Sequence, residues 1–155
     1  MGCPTELSMA KAQTSEVFKC TAEQLYKIVT DYSKYPEFLS EVKKCEIIKA
    51  EGSKKLVEYH VSMVKTFSYR LQMVENYVEN GASTVTWDFI SGDVFKTQRG
   101  SWKIEPEGSQ CRATYEVEAT FGIFVPGPIA NTLVSVSLPN MVSSYQKRIQ
   151  QLYGK

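Results

Sequence analysis

The stretch Gln110-Cys111-Arg112-Ala113-Thr114-Tyr115-Glu116-Val117-Glu118-Ala119-Thr120-Phe121 alternates with period two. Cys111, Ala113, Tyr115, Val117, Ala119 and Phe121 share one face, and Arg112, Thr114, Glu116, Glu118 and Thr120 share the other. Successive side chains of a strand point to opposite faces, so this segment reads as a strand with one dry and one wet side. Upstream, the same alternation predicts strands at about Val42 to Ala50, Lys55 to Val64, Thr66 to Tyr77, Thr84 to Ser91 and Val94 to Ile104. Turn-forming clusters at Glu51-Gly52-Ser53, Glu79-Asn80-Gly81-Ala82, Ser91-Gly92-Asp93 and Glu105-Pro106-Glu107-Gly108-Ser109 separate them. No helical period interrupts the series. The sheet is therefore antiparallel and runs from neighbour to neighbour.

Helices flank this block. Thr21 with Gln24 three residues on forms a capping-box signature, and Leu25, Ile28, Val29 and Tyr32 make one apolar face behind it. A short strand from Ser15 to Cys20 precedes that helix, and Pro36 within Tyr35-Pro36-Glu37-Phe38-Leu39 turns the chain toward the sheet. At the other end Leu138, Met141, Val142, Tyr145, Ile149 and Leu152 mark the stripe of a long helix, with a kink or restart expected at Pro139 and Ser137 as its cap. The reading is an α+β fold: a curved antiparallel sheet of about seven strands around a long C-terminal α-helix, with a short helical segment after strand 1. Residues 1–13 read as a disordered tail, with Met9 an alternative start, and residues 14–155 as a single domain.

Composition removes several function classes. Lysine and arginine number 18 against 17 acidic residues, so the net charge of +1 supplies no field for a phosphate backbone, and no nucleic-acid partner is expected. The longest uncharged stretch, Ala119 to Gln146, is broken by Pro126, Pro128 and Pro139 and does not read as a membrane span. Cys3, Cys20, Cys45 and Cys111 show no CxxC spacing, no secretory signal is visible, and reduced thiols in a cytoplasmic protein are expected. One histidine, His60, shares its strand face with Glu58 and Ser62 and reads as solvent-facing. No metal, cofactor or nucleotide loop is called for. Lys43, Lys44, Lys49, Lys54 and Lys55 gather in the first hairpin, where they serve solubility or a partner surface. Nothing in the pattern decides between a monomer and a weak dimer.

Nine tyrosines, seven phenylalanines, two tryptophans and five methionines are many for one modest sheet. Tyrosines alternating with the apolar faces, and methionines Met63, Met73 and Met141, suit the wall of a cavity with a few polar points. The wall candidates are Tyr59, Tyr69, Trp87, Gln98, Trp102, Tyr115, Leu138, Met141 and Tyr145.

The chain resembles the START-like, birch-allergen-like superfamily, and within it the bacterial polyketide cyclase and coenzyme Q-binding group. The resemblance covers about Ser15 to Leu152 and rests on Thr21-Ala22-Glu23-Gln24-Leu25, Tyr35-Pro36-Glu37-Phe38-Leu39, Gly100-Ser101-Trp102, and a closing segment from Met141 with the basic pair Lys147 and Arg148. It implies a helix-grip fold with an apolar tunnel between sheet and terminal helix. Binding or transport of a hydrophobic small molecule, such as a lipid, quinone or polyketide-like compound, is the first function expected. The alternative is a polyketide aromatase/cyclase in which Tyr69, Arg70 or Arg99 polarises a keto group. A third, also implied by the resemblance, is a ribosome-associated interaction module.

Overall fold

The computed structural model describes residues 9–62, 66–122 and 138–154. In chain order the elements are β1 (Met9–Phe18), α1 (Ala22–Val29), a 3-10 helix (Tyr32–Glu37), β2 (Val42–Glu51), β3 (Lys54–Ser62), β4 (Thr66–Asn76), β5 (Ser83–Gly92), β6 (Phe95–Glu107), β7 (Gln110–Phe121) and α2 (Leu138–Tyr153). The strands form one curved antiparallel sheet in the order β1-β7-β6-β5-β4-β3-β2, so β1 and β2 are its edges. The architecture is the predicted helix-grip arrangement, with the strands of the central block within a few residues of their expected bounds.

Two boundaries differ from expectation. Residues 9–13 belong to β1 and not to a tail: β7 offers twelve residues of ladder, and Ala10 and Ala12 take places opposite Ala119 and Val117. The segment Met9-Ala10-Lys11-Ala12 has little β-propensity of its own, so it is the partner strand that makes it a strand. At the other end β1 stops at Phe18, where the amide of Cys20 donates back to the Phe18 carbonyl at 2.9 Å. The expected tail residues 1–8 lie outside the described residues.

The capping box at α1 forms as predicted: the Gln24 amide donates to Thr21 Oγ1 at 3.1 Å, and the Thr21 amide donates to Gln24 Oε1 at 2.9 Å. Leu25, Ile28 and Val29 are buried, and α1 packs against β5, β6 and β7. Pro36 is accommodated inside the 3-10 helix, which ends with Phe38 donating to the Tyr35 carbonyl at 3.1 Å, an i to i+3 bond, and Leu39 donating to the same carbonyl at 2.8 Å, an i to i+4 bond. The helix α2 is described over Leu138–Tyr153, with Pro139 as its second described residue. Ser137, the expected cap, lies outside the described residues.

Gly100 is required by the packing. It stands opposite Trp87 across the β5–β6 ladder, and a Cβ there would overlap Trp87 Cζ2 and lie 2.5 Å from the Glu116 carbonyl oxygen. The bare backbone is the seat for the indole ring.

Candidate functional site

The apolar faces of β3 to β7 converge on Tyr145 of α2 and on the 3-10 helix. Rings meet in a chain: Phe38 to Tyr145 at 5.1 Å, Tyr145 to Trp102 at 5.2 Å, Trp102 to Tyr115 at 5.0 Å and Tyr115 to Trp87 at 5.7 Å. Tyr59 and Tyr69 stack at 5.1 Å with an interplanar angle of 13°. Large rigid rings do not fill space as completely as branched aliphatic side chains, and a cavity of about 140 Å³ remains between them.

Tyr59, Tyr69, Trp87, Gln98, Trp102 and Tyr115, foreseen on the strands, and Met141 and Tyr145, foreseen on the helical stripe, line this cavity. Tyr35, Leu39, Val42, Leu71 and Met73 complete it. Leu71 and Met73 follow from the β4 face pattern. Tyr35 and Leu39 sit in a turn, where neither period applies. Their signal is the aromatic and apolar density around Pro36. Leu138 is a correction: it is half-buried and shares the helical phase of Met141 and Tyr145, but it lies a turn before Met141 and does not line the cavity. Met63 lies outside the described residues.

Arg70 and Arg99 are corrections as well. Each alternates with cavity-lining neighbours, so each side chain leaves by the outer face of the sheet. There Arg70 Nε donates to Glu58 Oε2 at 2.7 Å, and Arg99 Nη2 lies 3.5 Å from Asp88 Oδ1. Neither reaches the cavity. A larger hollow of about 650 Å³ lies along β1, β5, β6 and β7, but Lys11, Asp88, Arg99, Glu116 and Glu118 among its lining residues carry charges of both signs, and it has the character of a hydrated groove.

Among the described residues, no charged side chain lines the cavity. The polar groups of these lining residues are phenols, one amide and two indoles. Burial pushes the phenols of Tyr35, Tyr59, Tyr69, Tyr115 and Tyr145 above the ordinary value of 10.0, because a phenolate would lose its hydration. At Tyr69 an interaction with the Gln98 side chain works weakly the other way, as does Tyr35 at Tyr145. The Tyr59 hydroxyl donates to Met73 Sδ at 3.7 Å, and the Tyr35 hydroxyl donates to the Val29 carbonyl. All these groups are neutral at ordinary pH, so the described lining offers shape and hydrogen-bonding atoms.

One latch holds α2 in place. Arg148 Nη2 donates to Glu37 Oε1 at 2.7 Å, and its guanidinium carbon stands 5.2 Å from the Phe38 ring centre. This bonds the helix to the segment that carries Tyr35 and Leu39. Elsewhere, Glu46, Glu58 and His60 bring ligand atoms within 4.8 Å of one another on the outer face. Glu58 is already held by Arg70 and by His60 at 2.8 Å, which makes the group an ion-pair network.

Three of the five lysines of the first hairpin have an acidic partner. Lys44 lies 3.6 Å from Glu46, Lys49 3.7 Å from Glu51 and Lys55 2.6 Å from Glu75. Among the described residues no helix is long and apolar enough to cross a membrane.

Comparison with known proteins agrees with the geometry. The chain is 28% identical over 155 residues to the ribosome association toxin RatA of Vibrio cholerae, covering 95% of this chain and 100% of that one. A START superfamily protein from Mycobacterium smegmatis superimposes with a TM-score of 0.77 at 21% identity, over 92% of this chain and 98% of that one. A STAR-related lipid transfer protein from Xanthomonas axonopodis does so with a TM-score of 0.74 at 18% identity, over 90% and 85%. These two likenesses establish the fold. Residues 19–144 match the family described as polyketide cyclase / dehydrase and lipid transport, and the chain, with its sheet gripping a terminal helix around an aromatic cavity, belongs to that family.

Proposed function

We propose that this protein binds a compact, uncharged apolar molecule in the cavity between the sheet and α2. The observation that carries the reading is the cavity itself: about 140 Å³, lined among the described residues by seven aromatic side chains and no charged one. An engineered apolar cavity of about 150 Å³ accommodates benzene, whereas drug-sized ligands occupy about 300–1,000 Å³. A single ring therefore fits the space as it stands. A lipid or an extended polyketide requires α2 to move away from the 3-10 helix, against the Arg148–Glu37 contact. Apolar burial supplies the affinity at about 25 cal/mol per Å².

The family description supports binding in general. The absence of an ionisable group that is charged near neutral pH among the described lining residues favours binding over ring closure. The free thiols of Cys20, Cys45 and Cys111 support a cytoplasmic location.

The test is thermal unfolding with and without saturating benzene, for the wild type and for Met141→Trp, which fills the space. A ligand at 100 times its Kd stabilises by about 2.7 kcal/mol, so the wild-type midpoint rises clearly. The filled variant should show no rise. No effect of benzene on the wild type refutes the reading.

A second reading, association with ribosomes, is favoured by the end-to-end match to RatA. Salt-dependent co-sedimentation with ribosomes tests it, and sedimentation that is independent of both salt and ribosomes rejects it.

A further inference from the structure

β2 is an edge of the sheet: it pairs with β3 on one side, and no described strand pairs with the other. An edge strand offers a row of backbone donors and acceptors to any strand that can lie beside it. The charges of β2 say which strand that is. Lys44, Glu46, Lys49 and Glu51 stand opposite His60, Glu58, Leu56 and Lys54 of β3, and these alternate with the buried Val57, Tyr59 and Val61. Opposed residues share a face, so all four charged residues lie in one row on the outer face. Their sequence spacing would not achieve this in an unbroken strand. Ile48 has no partner on β3, and the bulge it forms brings Lys49 and Glu51 onto the face of Lys44 and Glu46.

The row reads plus, minus, plus, minus. An antiparallel copy centred on the bulge sets Lys44 opposite Glu51 and Glu46 opposite Lys49, each pair occurring twice. A parallel copy in register, or an antiparallel one slipped by one place, sets like charges together, which is unfavourable. At the crossing point stand Ile47 and Ile48, 43% and 40% exposed, an apolar centre flanked by the charges. The contacts within β2, Lys44 to Glu46 at 3.6 Å and Lys49 to Glu51 at 3.7 Å, are exposed pairs that hold their members weakly. Independently of the binding reading, we propose that two copies of this chain associate through β2, antiparallel about a twofold axis beside Ile47 and Ile48, joining their sheets into one. The same patch serves on both copies, so the assembly closes at two. A single strand pair is a small interface, and the dimer exchanges with monomer.

Analytical ultracentrifugation of the full chain from about 1 μM to about 1 mM tests this. The wild type should pass from monomer to dimer within that range. Glu46→Lys with Glu51→Lys makes the row wholly positive, and Lys44→Glu with Lys49→Glu makes it wholly negative. Each variant alone should dimerise at least about tenfold more weakly, since four attractive pairs become repulsive. An equal mixture of the two should restore the dimer, which also shows that both fold. Amide hydrogen exchange locates the contact: on raising the concentration, β2 should gain protection and β1, the opposite edge, should not. A wild type that stays monomeric throughout, a dimer that survives both charge reversals, a mixture no tighter than its components, or β2 exchange indifferent to concentration overturns the proposal. Should a reversed chain not fold, the exchange of β2 against β1 in the wild type decides.

Discussion

Gly100→Ala is the smallest change that probes how the cavity wall is built. The added methyl would overlap Trp87 Cζ2 and come within 2.5 Å of the Glu116 carbonyl oxygen. The indole can shift at some cost, but the carbonyl belongs to the β6–β7 ladder and cannot. Two terms oppose each other. Overpacking a well-filled interior costs about 1–3 kcal/mol, while removing a glycine from a strand interior returns about 0.5–1 kcal/mol of backbone entropy. The overlap wins, and the net loss is about 1–2 kcal/mol. For a domain of this size that corresponds to a fall in Tm of about 3–6 °C. Thermal melts followed in the near-ultraviolet, where the displaced tryptophan reports, measure both effects. An unchanged or raised midpoint would show that Gly100 does not seat the indole ring and would refute the packing argument.

Other outcomes follow from the same geometry. Tyr35→Phe leaves the Val29 carbonyl without its buried donor and should lower stability by about 1–2 kcal/mol, read as a lower urea midpoint with an unchanged slope. Arg70→Ala and Arg99→Ala should leave ligand affinity unaltered in a fluorescence titration, because both side chains lie on the outer face; a loss in either would contradict that placement. Arg70, and then His60, hold the Glu58 carboxyl below its ordinary value of 4.5. A lowered folded-state value means that this stabilisation is complete above that pH and is lost as pH falls through the lowered value, so urea melts from pH 5 downward should show a shallower decline for Glu58→Gln than for the wild type. The phenols of Tyr35, Tyr59, Tyr69, Tyr115 and Tyr145 should stay protonated above pH 10 until the fold opens, seen as a delayed, cooperative step in absorbance at alkaline pH.

The sheet was legible because its strands alternate cleanly and are separated by turn residues. Six of the nine wall residues foreseen line the cavity for the same reason, and Met141 and Tyr145 join them from the helical stripe of α2. Period two places Tyr59, Tyr69, Trp87 and Tyr115 on one side and Arg70 and Arg99 on the other. What escaped depends on contacts between elements. Residues 9–13 become a strand only because β7 needs a partner. Tyr35 and Leu39 enter the wall through a 3-10 turn, which has no long-range pattern to read. Leu138 has the right helical phase but lies a turn before Met141, outside the wall. Cavity size was not legible at all, since it depends on how far the rings of Trp102 and Tyr145, at 5.2 Å, fail to interlock.

Crystals soaked in iodobenzene test the central claim most directly, because the iodine marks the guest unambiguously. The account predicts one anomalous peak inside the wall formed by Tyr59, Trp87, Trp102 and Tyr145, with the ring against those side chains. Iodine confined to the protein surface, with the interior unchanged, would contradict it.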